Sequence, residues 1–140
     1  MKVTILLADA AQAIEGKLYI LGGGWSITGP DPVPSAIAVK IEVPWDAANQ
    51  KHHLTLALFD ADGRAVMLPT PSGDTAVELG ADFEVGRPPG LKPGTPIDAV
   101  FAVNIAPLPL SPDGRYVWRL SIDDRTDEDW QLAFSTRPKK

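Results

Sequence analysis

The sequence predicts an all-β fold: a sandwich of two antiparallel sheets with about eight strands, forming one domain over residues 1–140, with a β-barrel as the alternative. Three observations support this prediction. Apolar and polar residues alternate with period two through most apolar stretches, which is typical of strands that bury one face. The 14 prolines and 12 glycines lie between those stretches and mark frequent turns. Hydrophobic residues make up 44% of the chain and charged residues 22%, so a chain of this length can close a core.

The first half of the chain contains three clearly alternating strands. Residues 3–7 form the first of them, residues 37–43 the second and residues 54–58 the third. Helix signals are weak by comparison. The stretch 8–15 contains helix formers for only about two turns, and residues 46–51 suffice for a single turn.

In the second half, the stretch Thr75–Val85 predicts a long strand at a sheet edge. Its acids, Glu78, Asp82 and Glu84, alternate with apolar residues and are expected to face outward. Prolines stand on both sides of this stretch, as they often do beside an edge strand that must not pair indiscriminately. The alternation returns at residues 97–105, 116–122 and 130–134. The predicted core consists of Ile5, Leu18, Ile20, Val39, Ile41, Leu56, Phe101, Val103, Trp118, Leu120 and Phe134.

A local motif at Leu110–Leu120 refines the predicted topology. Leu110 and Pro112 precede Tyr116 by six and four residues, and Tyr116 begins a strand. This pattern resembles the tyrosine corner of fibronectin type III and immunoglobulin-like domains. The resemblance implies a Greek-key sandwich in which the tyrosine hydroxyl bonds to nearby backbone.

A second resemblance covers the first third of the chain. The segments that carry it are 7–12, 16–25, 30–34 and 43–45. Together they resemble a family of uncharacterised bacterial proteins of this length, whose actinobacterial members share a similar opening. The resemblance implies no activity and no catalytic residues.

Charge and cysteine content exclude several classes of function. A formal net charge of −5 and an isoelectric point near 4.9 provide no positive field, so neither nucleic acid nor an anionic membrane is an expected partner. The absence of cysteine removes disulfides, thiol nucleophiles and thiolate metal sites. The apolar run Val3–Ala8 is too short for a signal peptide, and Asp9 interrupts it. We therefore predict a cytoplasmic protein.

Two motifs resemble parts of a phosphate-binding loop or a catalytic site, but the residues that such sites also need are missing from the pattern. Gly22-Gly23-Gly24 is followed by neither a P-loop lysine nor a helix pattern, so we interpret it as a strand end or bulge. His52 and His53 are the only histidines, and neighbours on a strand face opposite sides. A serine–histidine–aspartate triad stays open because triads form in space, but no G-x-S-x-G pattern supports one. We interpret the histidines as solvated hairpin residues.

Acidic residues are the only metal-ligand candidates. Asp60 and Asp62 begin a stretch that looks like a calcium loop, but its twelfth position is Pro71 instead of glutamate. Asp124 and Asp127 belong to the acidic segment 123–129. Turn chemistry explains both groups, so we predict no metal and no cofactor.

A topological argument keeps the metal hypothesis open. If the strands simply alternate in direction, one end of the sandwich gathers loops 23–36, 60–64, 86–96 and 123–129, and the other end gathers loops 9–16, 44–53, 69–75 and 106–114. The first end would then unite Trp25, Asp60, Asp62 and the acidic tip. Loop ends are where sandwiches usually carry binding sites.

Two of the four tryptophans are ligand-binding candidates. Trp118 and Trp130 belong to the alternating pattern and are predicted core residues. Trp25 and Trp45 lie where strands give way to loops. Each either covers an open end of the core, which we favour, or anchors a sugar, peptide or partner chain.

These observations favour a non-enzymatic binding or interaction module whose partner is another protein or a second copy of the chain. The alternative is a metal- or carbohydrate-binding domain that uses the Trp25 end and the acidic tip. No catalytic residue is assigned. A homodimer through the Trp45 region is expected because two-fold dimers are the commonest soluble oligomers.

Overall fold

The computed structural model describes residues 1–140 and contains twelve strands and one 3₁₀ turn, Trp45–Ala47. The first six strands are β1 (Lys2–Ala8), β2 (Ala10–Ile14), β3 (Lys17–Leu21), β4 (Ile27–Thr28), β5 (Ser35–Val43) and β6 (His52–Asp60). The other six are β7 (Met67–Thr70), β8 (Gly73–Ala76), β9 (Glu78–Phe83), β10 (Ile97–Ile105), β11 (Arg115–Ile122) and β12 (Gln131–Thr136). The fold is therefore all-β, as predicted. None of its helical segments has the length and apolar character needed to cross a membrane.

Two main sheets form the body of the molecule. Strands β1, β5 and β10 make a three-stranded antiparallel sheet with β5 at its centre. A five-stranded sheet has the order β4-β12-β11-β6-β9, in which only the short β4 runs parallel to its neighbour. Two hairpins, β2–β3 and β7–β8, stand outside both sheets. The two sheets thus contribute different numbers of strands, three against five.

The core lies between the facing sheets and follows from the alternation in the sequence. Alternate residues of β5 and β6 point inward and pack in one cluster with those of β11 and with Phe134. The fully buried members include Val39, Ile41, Leu56 and Leu120. Burying each such side chain contributes about 1.5–3 kcal/mol to folding. The central strands therefore carry most of the stability of the molecule.

The β2–β3 hairpin crosses the outer face of the three-stranded sheet. A two-residue turn joins its strands, and both turn residues, Glu15 and Gly16, have positive φ. Ala11 packs on alanines of β1 and β5 in a small second cluster. The side-chain amide of Asn104 holds β2 in place: it donates to the Ala11 carbonyl (2.8 Å) and accepts from the Ala11 N–H (3.3 Å).

Several sequence expectations need correction at this level. There are twelve strands, not about eight, because five short strands carry little or no alternating pattern. The stretch 8–15, with its weak helix signal, is mostly strand β2. Thr75–Val85 is divided between β8 and β9, since Val77 leaves the regular ladder to bond with Val66 and Leu58. Ile20 is exposed, because it lies on the outer hairpin and not between the sheets.

The ends of the sandwich also differ from the expectation. Trp25 precedes β4, which pairs with β12 at Ser135, and Ser135 lies opposite Arg115 at the start of β11. Asp123 follows the other end of β11. The Trp25 end and the acidic tip therefore lie at opposite ends of the sandwich. Strict alternation failed as a guide because the β2–β3 and β7–β8 hairpins lie outside the two sheets and β4 runs parallel to its neighbour.

Candidate functional site

An apolar groove opens between the last strands of the two sheets, β9 and β10, and we call it the edge groove. Its volume is about 400 Å3, and nine of its twelve lining residues are hydrophobic. The lining consists of Leu68, Ala76, Val77, Glu78, Leu79, Val103, Asn104, Ile105, Ala106, Pro107, Leu108 and Trp118. Size and apolar character match those of ordinary ligand pockets.

The groove exists because the three-stranded sheet ends at β10, while β9 of the larger sheet extends beyond it. Leu79 on β9 is 39% exposed although it belongs to the inward-facing side of its strand. The inward residues of the central β5 are fully buried, whereas Phe101 and Val103 on β10 are only half-buried. A missing neighbour for β10 accounts for both observations.

One end of the groove is closed by aromatic packing. Phe83 on β9 meets Phe101 on β10 edge to face, with ring centroids 5.4 Å apart. Trp118, only 2% exposed, forms part of the wall. The groove is thus a wedge between the sheets, with one end filled by side chains of the chain itself.

Both strands beside the groove have open edges. No backbone hydrogen bond outside the sheet ladders involves any residue of β9 or β10. In an antiparallel ladder every second residue directs its N–H and C=O away from its partner. The groove therefore combines an apolar interior with two rows of unpaired backbone groups.

Trp25, the first predicted ligand-binding residue, lies beside Trp118 but outside the edge groove. Its ring packs edge to face against Phe134, with centroids 6.1 Å apart. It lines a cavity of about 40 Å3 together with Pro30, Leu108 and Trp118. Its indole N–H is buried without a hydrogen-bond partner. The cavity holds no more than a few waters, and Trp25 is not part of the edge groove.

Trp45, the second predicted ligand-binding residue, is partly covered by its own chain. The guanidinium of Arg87 lies 4.5 Å from the centroid of the Trp45 ring and also donates to the Trp45 carbonyl at 2.8 Å. An open cleft of about 460 Å3 lies beside it, lined in part by Lys2, Glu42 and Asp46. The structure does not bring Trp45 and Trp25 together, because the two residues lie at opposite ends of the sandwich.

The acidic metal candidates serve as turn residues and do not converge. Asp60 accepts the backbone N–H groups of Asp62 and Arg64, and Asp127 accepts that of Asp129. Asp124 has a positive φ of 63° in the tight turn that follows β11. No group of three or more histidine or acidic side chains is placed to hold a metal ion.

His52 is not a solvated hairpin residue, because it lies inside the molecule and is bonded at both ring nitrogens. Its Nδ1 lies 2.7 Å from Asp123 and its Nε2 lies 2.8 Å from the Ala47 carbonyl. Both partners are acceptors, so only the doubly protonated ring can donate to both. We call this arrangement the His52 clasp; it ties the loop after β5 to the acidic tip. His53 is exposed and bonds to Asp82.

The clasp shifts two pKa values in opposite directions. Burial alone lowers the pKa of His52, but the hydrogen bonds to Ala47 and Asp123 outweigh burial and raise it above its ordinary value of 6.5. The hydrogen bonds from His52 and from the His53 N–H hold the pKa of Asp123 below 3.8. With both nitrogens engaged, His52 has no free base for the triad that the sequence left open.

The edge groove was not predicted from the sequence. Its one signal was the prediction that Thr75–Val85 forms a sheet edge, and β9 is such an edge. The missing strand opposite β9 could not be foreseen, because it depends on which strands join which sheet.

The comparisons with known proteins add a family but no activity. The model of a family of unknown function, DUF6941, matches residues 3–135. Neither the curated proteins nor the solved structures contain a match to the chain.

Proposed function

Because this chain belongs to DUF6941, a family without an assigned activity, we propose its function from the geometry: a non-enzymatic interaction module that binds a protein segment in the edge groove. The observation that carries the proposal is an apolar groove of about 400 Å3 flanked by two unpaired strand edges. A protein chain supplies both apolar side chains and backbone hydrogen-bonding groups, so it matches both features.

The polar residues of the molecule support a binding role over catalysis. Three groups that resemble catalytic or metal-binding equipment are engaged elsewhere: His52 in the clasp, and Asp60 and Asp127 in turns. The edge groove contains one ionisable residue, Glu78. A single carboxylate provides no acid–base pair and no metal site.

The metal or carbohydrate alternative loses its structural basis. It required Trp25 and the acidic tip at one end of the sandwich, and these lie at opposite ends of β11.

Further features belong to the same proposal. A Greek-key topology of the immunoglobulin or fibronectin III kind is supported by the bond from the Ser111 N–H to the Tyr116 hydroxyl, 3.0 Å long. A bacterial origin, a cytoplasmic location and a homodimer through the Trp45 region remain predictions from the sequence. The net charge of −5 favours a protein partner over nucleic acid.

A peptide selection tests the proposed function. Random peptides as long as the nine residues of β10 are displayed and selected against the purified chain, and their affinities are then measured for two variants. Leu79→Glu places a charge in the groove, at a site exposed enough that folding is preserved. Selected peptides should lose at least about tenfold in affinity for this variant, since an unpaired charge would meet their apolar side chains.

Leu21→Glu is the matched control, because Leu21 is 71% exposed on the β2–β3 hairpin, outside the edge groove. Peptides should bind this variant as they bind the native chain. A selection that enriches no peptide, or peptides that bind Leu79→Glu undiminished, would refute the proposed function.

A further inference from the structure

We infer that the bound segment adds to the three-stranded sheet as a fourth strand beside β10, with apolar side chains at alternate positions and lysine or arginine between them. This inference rests on the proposed function and specifies its partner: an extended segment of another protein with an alternating apolar and basic sequence. Three properties of the strands around the edge groove lead to it.

The first property is the open backbone of β10. All nine residues of β10 are in register with β5, from Ile97 opposite Val43 to Ile105 opposite Ser35. About half of them direct their N–H and C=O groups away from β5. Apart from the Asn104 side chain, which holds Ala11, β10 makes no hydrogen bond outside its ladder. An added strand would pair with these groups along a regular edge.

The second property is the position that an added strand would occupy. Neighbouring strands lie about 4.8 Å apart and facing sheets about 10 Å apart. A fourth strand beside β10 would therefore face the uncovered inner side of β9, where Leu79 is exposed. Residues opposite Phe101 and Val103 would share their face and point into the groove. These positions, every second one of the segment, need apolar side chains.

The third property is charge. Strands β8, β9 and β10 carry four acids, Asp74, Glu78, Asp82 and Asp98, and neither lysine nor arginine. Asp82 and Asp98 have partners in His53 and Lys40. Glu78 lines the groove and belongs to none of the ion pairs. Asp98 lies on the outer face of β10, the face that the outward side chains of an added strand would share, so basic residues at those positions would complement it and acidic residues would be repelled.

Synthetic nine-residue peptides test the inference. The probe alternates valine with lysine, and its comparison peptides have the same residues in two blocks, or glutamate in place of lysine. The probe should bind with at least about tenfold higher affinity than either comparison peptide, because only the probe combines the face pattern with the charge. The amide NMR signals of β10 should shift on binding. Equal binding of the blocked peptide would overturn the alternation, and equal binding of the glutamate peptide would overturn the charge requirement.

N-methylated probes test the strand pairing itself. Methylating the amides of the valines blocks one edge of the extended peptide, and methylating those of the lysines blocks the other. One of the two should lose at least about tenfold in affinity, since several backbone hydrogen bonds of roughly 1 kcal/mol each disappear, and the other should bind as before. If both methylated probes bind like the parent, the segment lies in the groove without pairing, and the inference fails while the proposed function stands.

A second copy of the chain is the competing occupant. Sedimentation of the chain without peptide over a wide concentration range distinguishes it. A monomer, or a dimer that Leu79→Glu leaves intact, agrees with a foreign segment as occupant of the groove. A dimer that Leu79→Glu abolishes and Leu21→Glu preserves would assign the groove to a second copy and overturn the inference about the partner.

Discussion

At the scale of single residues, the His52 clasp makes the stability of the fold depend on pH. The pKa of His52 is raised in the folded chain, so its contribution is fully present below 6.5 and is lost as the pH rises through the raised value. The pKa of Asp123 is lowered, so its contribution is present above 3.8 and is lost as the pH falls through the lowered value. The clasp is therefore strongest in mildly acidic solution.

We predict that the melting temperature falls as the pH rises above 6.5 through the raised pKa of His52, because the ring loses its second proton there. His52→Asn should flatten this part of the profile and cost about 2 kcal/mol at pH 6, the usual loss for hydrogen bonds to a buried charged group. His53→Asn is the control, since His53 is exposed and its ion pair contributes little. Identical pH slopes for the native chain and His52→Asn would disprove the role of the clasp.

The hydroxyl of Tyr116 accepts the Ser111 N–H, and its ring stacks on Phe134 with centroids 5.6 Å apart. Tyr116→Phe should lower the free energy of unfolding by about 1 kcal/mol, the net contribution of one such hydrogen bond. Urea denaturation measures this loss. Tyr19→Phe, on the exposed face of the β2–β3 hairpin, should leave stability unchanged. A Tyr116→Phe protein as stable as the native chain would show that the bond contributes nothing.

At the scale of the element, Asn104 joins the β2–β3 hairpin to the sheet beneath it. Asn104→Ala removes both hydrogen bonds to Ala11, so the hairpin should open more often, by about 1–2 kcal/mol. Amide hydrogen exchange should become faster in β2 and β3 and stay unchanged in β11. Gln12→Ala, an exposed change on β2 itself, is the matched control. Unchanged protection of β2 would mean that alanine packing alone holds the hairpin.

Element by element, the sequence was informative wherever one face of a strand is buried. The alternation of Lys40 and Glu42 with apolar neighbours located β5, and the pattern around Trp118 located β11, because burial of one face imposes period two. The alternating pattern did not identify the β2–β3 hairpin. Its outward face carries exposed apolar residues such as Tyr19 and Leu21, so no polar and apolar alternation marks it.

At the scale of the whole molecule, several features depend on which strands pair in each sheet, and the sequence does not predict that pairing. The Tyr116 bond was predictable because its partner lies five residues away. The His52 clasp was not, since Asp123 is 71 residues away and only the pairing of β6 with β11 brings the two together. The edge groove depends on the strand count of each sheet, which no local pattern encodes. A contact between residues close in the sequence could thus be predicted, whereas contacts that depend on the pairing of distant strands could not.

Trp118 lies between two open spaces of the protein, the edge groove and the cavity beside Trp25. Its indole, together with Leu108, borders both the edge groove and the small cavity beside Trp25, so one ring is a wall shared by two compartments. A segment that displaces this ring from one side changes the space on the other. Any coupling through this ring would be reciprocal by thermodynamic necessity, so a molecule bound in the Trp25 cavity would change the affinity of the groove by the same factor.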